Sequence, residues 1–436
     1  MKKTRLFLGV LVFTFLLSTM SFANGLNLNS LGSRAQAMGG AFIGLADDFS
    51  TIFWNPAGMA MFEKKHFGFY GTDLIPKGEY NLDMSALIPG YTIDAETESK
   101  HYLAGMGAYY HPLGDNLVAG IGVYTPSGLG ASWDGSDLAL ISGDPTIDWR
   151  SKIGMISIAP AIAYKISDAI AIGATLNINY GMFDIAMHAG GSGAANLEQY
   201  EESLNGWGYG ATFGVLVKPC EMVSIGATYR TATTIKFSGE ATISNIGILS
   251  MDPTSPFYGV TIDTTSDAER EVTWPMFIGG GVAVKPVDGL TVTTDLQWTQ
   301  WSKIDELKAT YTDPIWSIFM QAQGEDVRPM HWGNAMQIRF GAEYAMKSLA
   351  FRAGYYIDPA PAPDKTMNIL LPNFDFSVIC LGFGYSLNGL NIDVGFEYLM
   401  GKERTINPLD PEMAEAMPGT HNMNILVPSI SVGYRF

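Results

Sequence analysis

The sequence predicts an all-β fold: a 14-stranded antiparallel transmembrane β-barrel plugged by a small N-terminal hatch. Three observations lead to this prediction. Strand segments alternate apolar and polar residues with a period of two, which places each set on one face of a sheet. Tight turns and long connections follow one another along the chain. The mean hydropathy is +0.11 and only 16% of residues are charged, yet beyond the N-terminus no run approaches the ~18 apolar residues of a spanning helix.

The first element, residues 1–23, is typical of a secretory signal peptide. Basic residues at positions 2, 3 and 5 precede an apolar run from Leu6 to Leu17, and Ala23 ends a small-residue cleavage site. The apolar run is shorter than the ~20 residues that a membrane anchor needs. We therefore expect cleavage after Ala23 and an exported mature chain.

The second element, residues 24–64, is rich in glycine and does not alternate like a strand. Pro56 removes a backbone donor and fixes φ, and it favours an extended Asn55 before it. A compact segment between a signal peptide and a barrel is expected to fill the barrel lumen, although Asn-Pro-Ala-Gly is also an ordinary turn sequence. The candidate hatch and gate residues are Gly39, Gly40, Phe53, Trp54, Asn55, Pro56, Ala57 and Gly58.

The third element, residues 65–436, is the predicted barrel. Six tight turns and seven long connections join fourteen strands, an even number that is usual for bacterial outer-membrane barrels with short periplasmic turns. The turns are predicted at 112–116, 165–168, 218–221, 285–289, 346–348 and 386–389, and the long connections at 75–100, 126–150, 188–205, 245–270, 311–335, 359–374 and 403–423.

Within the strands, apolar and polar faces separate clearly. In Met336–Tyr344 and Asn391–Tyr398 the apolar residues occupy every second position. Aromatic residues near predicted strand ends suit the girdles at the two membrane interfaces; they are Tyr109, Tyr110, Tyr355, Tyr356 and Tyr398. Glycines 206, 208 and 210 alternate with outward Trp207 and Tyr209, and they either leave room for the hatch or simply curve the wall.

The last strand alternates and ends with Phe436. A terminal Phe on such a strand is similar to the signal read by the outer-membrane barrel assembly machinery, which we therefore expect as a partner. Outer-membrane lipid and lipopolysaccharide are expected to surround the barrel. The formal charge of −17 argues against nucleic acid, because phosphate binding needs a Lys/Arg surface.

The segment from about Gly32 to Gly58, with its Asn55-Pro56-Ala57 triplet, resembles the hatch of the FadL/TodX family of outer-membrane transporters of hydrophobic compounds. Tyr124-Thr-Pro-Ser-Gly-Leu129 is a second point of resemblance. Members take up long-chain fatty acids or aromatic hydrocarbons. The resemblance implies that ligand enters an external groove, reaches an interior site near the hatch and leaves sideways into the membrane.

Pro126 and Gly128 interrupt the predicted third strand. Proline cannot donate to a strand ladder, so it lies at an edge, an end or a bulge. The strand either ends here, or it kinks and opens the barrel wall for lateral exit of ligand.

Two sets of residues are candidate ligand contacts. A fatty-acid carboxylate needs a cation, and Arg339 and Arg352 are predicted to face the lumen, where Arg352 alternatively pairs with Glu343. Arg150 and Lys303 flank external loops, where they line an entrance groove or are simply solvated. Ile315–Ala322 predicts a short amphipathic loop helix, whose Trp316, Phe319 and Met320 line a capture groove or pack the loops together.

These elements predict a passive outer-membrane transporter, with long-chain fatty acids as the first candidate substrate. An aromatic hydrocarbon channel, a general porin and a structural adhesive barrel are the alternatives. An enzyme is not expected, because the chain has no G-x-S-x-G elbow and no H-E-x-x-H pair. The sequence predicts no metal site and no cofactor.

Overall fold

The computed structural model describes residues 25–189, 198–247, 254–256 and 261–436. Fourteen antiparallel strands form a closed barrel, in which each strand pairs with its neighbours in sequence order and β14 pairs with β1. The strands are β1 His66–Asp83, β2 Tyr102–Pro112, β3 Leu117–Trp133, β4 Trp149–Ser167, β5 Ile170–His188, β6 Gln199–Cys220, β7 Val223–Arg230 with Thr233–Gly247, β8 Thr261–Trp274 with Phe277–Val287, β9 Leu290–Thr299, β10 Ala335–Met346, β11 Leu349–Asp358, β12 Phe376–Leu387, β13 Leu390–Gly401 and β14 Gly419–Arg435.

The predicted alternation sets the two faces of this wall. On β10, Met336, Phe340 and Tyr344 are exposed on the outside, while Gln337 and Arg339 are buried in the lumen. Trp207 and Tyr209 also point outward, as predicted. No helix in the described ranges is long and apolar enough to span a membrane.

The predicted aromatic girdle is only partly correct. Tyr109 and Tyr355 are exposed on the outside of the wall, but Tyr110 and Tyr356 are completely buried in the lumen. The correction follows from strand geometry, because consecutive side chains on a strand point to opposite faces. Tyr110 instead donates a hydrogen bond to the carbonyl oxygen of Phe49 in the N-terminal segment.

The two ends of the barrel differ. One end, which we call the turn end, carries all six tight turns. The other, the loop end, carries long strand extensions and connections that fold over the lumen. Its smaller elements are strands Thr92–Glu96, Glu306–Tyr311, Val327–Pro329 and Arg404–Ile406, helices α3 Ala139–Ser142 and α4 Pro314–Gln323, and 3₁₀ turns Trp301–Lys303, Asp364–Thr366 and Pro411–Met413.

The N-terminal segment lies inside the barrel at the turn end. It contains α1 Ser33–Ala37, α2 Thr51–Trp54 and a 3₁₀ helix Pro56–Met61. Its apolar residues and lumen-facing residues of the wall form one buried cluster. A separate buried cluster fills the loop end and includes Trp133, Trp301 and Leu370. The lumen between these two clusters is the region where a ligand site is expected.

Candidate functional site

Asn55 fixes the hatch to the wall. Its buried side-chain amide donates to the carbonyl oxygens of Ile43 in the hatch and Val215 on β6, both at 3.0 Å. Its Oδ1 accepts from the backbone N–H of Ala57 at 3.2 Å, which caps the 3₁₀ helix that Pro56 begins. The Asn-Pro-Ala triplet therefore holds together the hatch backbone and one wall strand.

Wall glycines allow the hatch backbone to approach closely. A Cβ added at Gly214 would lie 2.9 Å from Pro56 Cδ, and one at Gly354 would lie 2.7 Å from Gly39 Cα. Gly206, Gly208 and Gly210 do not serve this purpose, because residues 233–236 of β7 occupy the space beside them. Gly39 and Gly40 have φ values of 65° and 64°, a left-handed conformation that glycine adopts without strain. The hatch and the wall are thus shaped for one another.

An ion-pair network anchors the opposite side of the hatch. Arg34 of α1 donates to both carboxylate oxygens of Glu343 on β10, at 2.7 and 2.8 Å, and it also pairs with Asp47. Glu343 accepts from Arg352 at 2.6 Å, and Arg352 pairs with Asp393 at 2.8 Å. The predicted pairing of Arg352 with Glu343 is therefore present, and Arg34 extends it to the hatch.

The third strand does not end at Pro126. Its ladder with β4 shifts register between Tyr124 and Ser127 and then continues to Trp133. Its ladder with β2, in contrast, stops at the pair of Met106 and Tyr124. The bulge at Thr125–Pro126 therefore separates β3 from β2.

The resulting gap in the wall is bounded above and below. At its lower edge Met106 pairs with Tyr124. At its upper edge the N–H of Glu98 donates to the carbonyl oxygen of Ser132 at 2.8 Å. A cavity of about 580 Å³ lies at this gap, and its lining includes Ala104 and Ile153.

The first described residues of the chain run beside the kink. The N–H of Leu28 donates to Pro126 O at 3.1 Å, and the N–H of Gly128 donates to Leu26 O at 3.0 Å. The segment 25–29 also borders three smaller cavities in the lumen, of about 90, 20 and 30 Å³. The largest of these shares six lining residues with the cavity at the gap: Leu28, Leu74, Gly128, Leu129, Met423 and Ile425. The largest interior cavity and the cavity at the gap are thus neighbours.

Arg339 and Arg230 border one of these lumen cavities. Arg339 is buried, donates to Gly39 O at 2.9 Å and to Gln337 Oε1 at 2.8 Å, and lies 4.3 Å from the ring centre of Tyr356. Arg230 donates to Phe53 O at 2.9 Å and lies 4.5 Å from the ring centre of Phe53. Within the described ranges, neither guanidinium has a carboxylate oxygen within 4.0 Å.

The other cationic candidates lie elsewhere. Arg150 alternates with lumen-facing Ser151, so it lies on the outer face of β4, where it pairs with Asp148 and Glu201. Arg150 nevertheless belongs to the lining of the cavity at the gap. Lys303 is exposed on the 3₁₀ turn at the loop end.

The predicted loop helix is present as α4, and its two faces differ. Trp316 and Met320 are buried, and the indole N–H of Trp316 donates to Thr264 Oγ1 at 3.0 Å. They pack the loops together. Phe319 is partly exposed beside the more exposed Ile315 and Ile318, and together these three side chains form an apolar face at the loop end.

Sequence reasoning missed Arg34, Arg230 and Tyr102, a residue at the edge of the gap. A signal was available for Arg230, because it follows outward Tyr229 and therefore faces the lumen. The partners of Arg34 and the neighbours of Tyr102 come from strands distant in sequence, so no local pattern identified them.

The geometry defines a class of protein: a membrane β-barrel channel with an internal plug and a gap in its wall. Comparison with known proteins agrees. The family described as outer membrane protein transport protein (OMPP1/FadL/TodX) matches residues 14–436, and the chain belongs to this family. It is an outer-membrane protein, so the turn end is periplasmic and the loop end extracellular.

Relatives resemble the chain along most of their length. A long-chain fatty acid transport protein of Escherichia coli O6:H1 is 25% identical over 89% of both chains, and outer membrane protein P1 of Haemophilus influenzae is 22% identical over 90% of both. Among solved structures, a Pseudomonas aeruginosa FadL homologue has a TM-score of 0.76 at 18% identity, covering 95% of this chain and all of that one. The toluene transporter TodX of P. putida has a TM-score of 0.75 at 15% identity, covering 94% and 99%.

Proposed function

We propose that the protein is a passive uptake channel for hydrophobic molecules, with long-chain fatty acids as its substrate class. The observation that carries the proposal is the gap between β2 and β3. The cavity at this gap is lined both by lumen-facing Ile153 and by Leu103, which is exposed on the outside of the wall. A hydrophobic molecule in the lumen would thus have a short route into the surrounding lipid.

In this proposal, ligand moves from the extracellular end of the barrel through the interior cavities to the gap in the wall. Ligand collects at the apolar extracellular face of α4, enters the lumen and leaves at the gap beside Pro126 and Gly128. Burial of an acyl chain contributes roughly 0.8 kcal/mol per CH₂, so little polar help is needed. The segment 25–29 lies between the interior cavities and the gap, and its displacement would merge them.

The hatch closes the periplasmic end in this mechanism. Gly39, Gly40 and the triplet at Asn55–Ala57 hold it against the wall, and Phe53 and Trp54 form part of one interior cavity. Shifts of the hatch would therefore change the shape of the ligand site. Outer-membrane lipid would cover the apolar outside of the wall, with lipopolysaccharide around its extracellular end.

Arg230 is the cation best placed for a fatty-acid carboxylate. The N–H donors of Arg339 already have acceptors in the hatch and wall, and Arg352 is paired with two carboxylates. Arg230 lies beside two aromatic rings, of Phe53 and Phe277, and borders two of the lumen cavities. A guanidinium recognises a carboxylate through two parallel hydrogen bonds, while the rings would contact the first carbons of the chain.

The test compares binding of palmitate and of a hydrocarbon of similar length by the purified protein, using native mass spectrometry. Arg230→Met should weaken palmitate binding by roughly 10- to 100-fold, since a hydrogen bond to a charged group contributes about 1.5–3 kcal/mol, and leave hydrocarbon binding unchanged. Lys236→Met is the control: Lys236 is exposed on the outer face of β7, pairs with Glu271 and lines none of the cavities described above, so its replacement should change neither. Equal losses for both ligands in Arg230→Met would reject the carboxylate role.

Three results would favour other functions, the first two of them with the unmodified protein. Retention of toluene or xylene without retention of palmitate would indicate an aromatic hydrocarbon channel, for which the rings of Phe53 and Phe277 offer contacts. Steady ion conductance in a planar bilayer would indicate a general porin. Loss of partner binding on loop trimming, with fatty-acid uptake unaffected, would indicate an adhesive barrel.

A further inference from the structure

We propose that Tyr102 determines how bulky a molecule can pass through the gap between β2 and β3. This inference rests on the lateral exit proposed above and adds the side chain that sets its width. Tyr102 is the first residue of β2, and its ring lies in the gap near the upper edge.

The ring of Tyr102 lies directly against Gly130 of β3. A Cβ added at Gly130 would lie 2.7 Å from Cζ and 3.0 Å from Cδ1 of this ring. Atoms at such distances overlap, so any side chain at Gly130 would displace the ring. The ring therefore occupies the place that a side chain on β3 would otherwise take.

The two residues belong to opposite faces of the wall. Tyr102 alternates with the buried Met106, Ala108 and Tyr110, so it is on the lumen-facing side of β2. Gly130 pairs with the exposed Lys152, and directly opposed residues of an antiparallel pair share one face. Gly130 is therefore on the outward side of β3.

A lumen-facing side chain can contact the outward face of the next strand only if the two strands overlap. The bulge at Thr125–Pro126 accounts for this overlap, because it moves the upper part of β3 inward so that it lies behind β2. The gap is thus a slot between two overlapping strand edges rather than a hole in a flat wall, and the ring of Tyr102 fills the slot.

Small residues form part of both edges of the slot. Below Tyr102, the edge of β2 continues with the outward Leu103 and then with the small Ala104 and Gly105, and the edge of β3 contains Ser127 and Gly128. A single side chain can change rotamer without any backbone rearrangement, and such motions are fast. A linear acyl chain fits beside small residues after a modest shift of the ring, whereas a branched or polycyclic molecule requires the ring to leave the slot.

The experiment measures transfer of two ligands from the protein into lipid vesicles: palmitate, which is slender, and a pyrene-labelled fatty acid, which is bulky. The readout is the transfer rate of the bulky ligand divided by the transfer rate of palmitate. A general loss of fold or of binding would lower both rates and would not raise this ratio. Tyr102→Ala should raise this ratio at least tenfold. Tyr102→Phe, which keeps the ring, and Tyr109→Ala, which removes an outward ring of the same strand, should leave it unchanged.

A second variant gives the opposite change. Gly130→Leu displaces the ring but fills the same space with a side chain on β3, so it should lower transfer of the bulky ligand more than transfer of palmitate. If the unmodified protein transfers both ligands but the ratio is unchanged in Tyr102→Ala and in Gly130→Leu, the role of Tyr102 is refuted. That result would leave the lateral exit itself standing. Absence of transfer for both ligands by the unmodified protein would overturn the lateral exit, and this inference with it.

Discussion

Replacing Arg34 by methionine is expected to loosen the hatch while leaving the barrel folded. Arg34 links the hatch to Glu343 of the wall in the buried ion-pair network, and the side chains of this bidentate contact are only 15% and 9% exposed. Removing one partner of a buried ion pair costs about 3–5 kcal/mol. Glu343 keeps its contact with Arg352, so we take the lower value, about 3 kcal/mol.

A loss of about 3 kcal/mol in the free energy of hatch docking raises the population of the undocked hatch about 100-fold, since each ~1.4 kcal/mol corresponds to a factor of ten. The assay is ion conductance of single barrels in a planar bilayer, where Arg34→Met should show openings far more often than the unmodified protein. Resistance of the barrel to unfolding in SDS checks that the wall is intact.

The matched control is Arg270→Met. Arg270 pairs with Glu202 at 2.7 Å, and both side chains are buried, but the pair lies at the extracellular end away from the hatch. It should therefore destabilise the protein without raising conductance. Equal conductance in Arg34→Met and Arg270→Met would refute the anchoring role of the network.

Three further predictions concern the hatch and the C-terminus. Asn55→Ala leaves two buried carbonyl groups without their donor and should cost about 1–3 kcal/mol, measured as faster proteolysis of the hatch in the assembled protein. Gly214→Ala overpacks the wall against the hatch and should lower thermal stability by about 1–3 kcal/mol, whereas Gly71→Ala, which meets nothing within 4 Å, should not. Phe436→Ala should slow accumulation of assembled protein in the outer membrane, measured by pulse-chase, and leave the stability of the assembled barrel unchanged, because the ring is half exposed. If Phe67→Ala delays assembly as much as Phe436→Ala does, assembly depends on the number of aromatic side chains and not on the terminal position of Phe436.

Local sequence patterns predicted the wall well, because strand alternation and turn residues act over a few positions. Gln337 and Arg339 face the lumen as predicted, and the strand interrupted by Pro126 continues beyond it with a shift of register. The same rule, applied strictly, would have placed Tyr110 in the lumen, since it neighbours outward Tyr109.

Contacts between distant segments were not predictable in this way. Gly206, Gly208 and Gly210 were candidates to make room for the hatch, but residues 233–236 of β7 occupy that space. Whether Arg230 has a carboxylate beside it depends on side chains from segments distant in sequence, such as Phe53 in the hatch and Phe277 on β8. Predictions for the site therefore stopped at residue type and face, and only the folded structure brings the partners together.

The close fit between hatch and wall also constrains how such proteins diverge and how they can be engineered. Gly214 and Gly354 lie on β6 and β11, far from the hatch in sequence, yet each tolerates no side chain beside the hatch backbone. A hatch exchanged between two relatives would need matching glycines on the recipient barrel. Plug and wall are therefore expected to be inherited as a unit, and an exchange of the extracellular loops would also have to keep the packing of Leu26 in the cluster that contains Trp301 and Leu370.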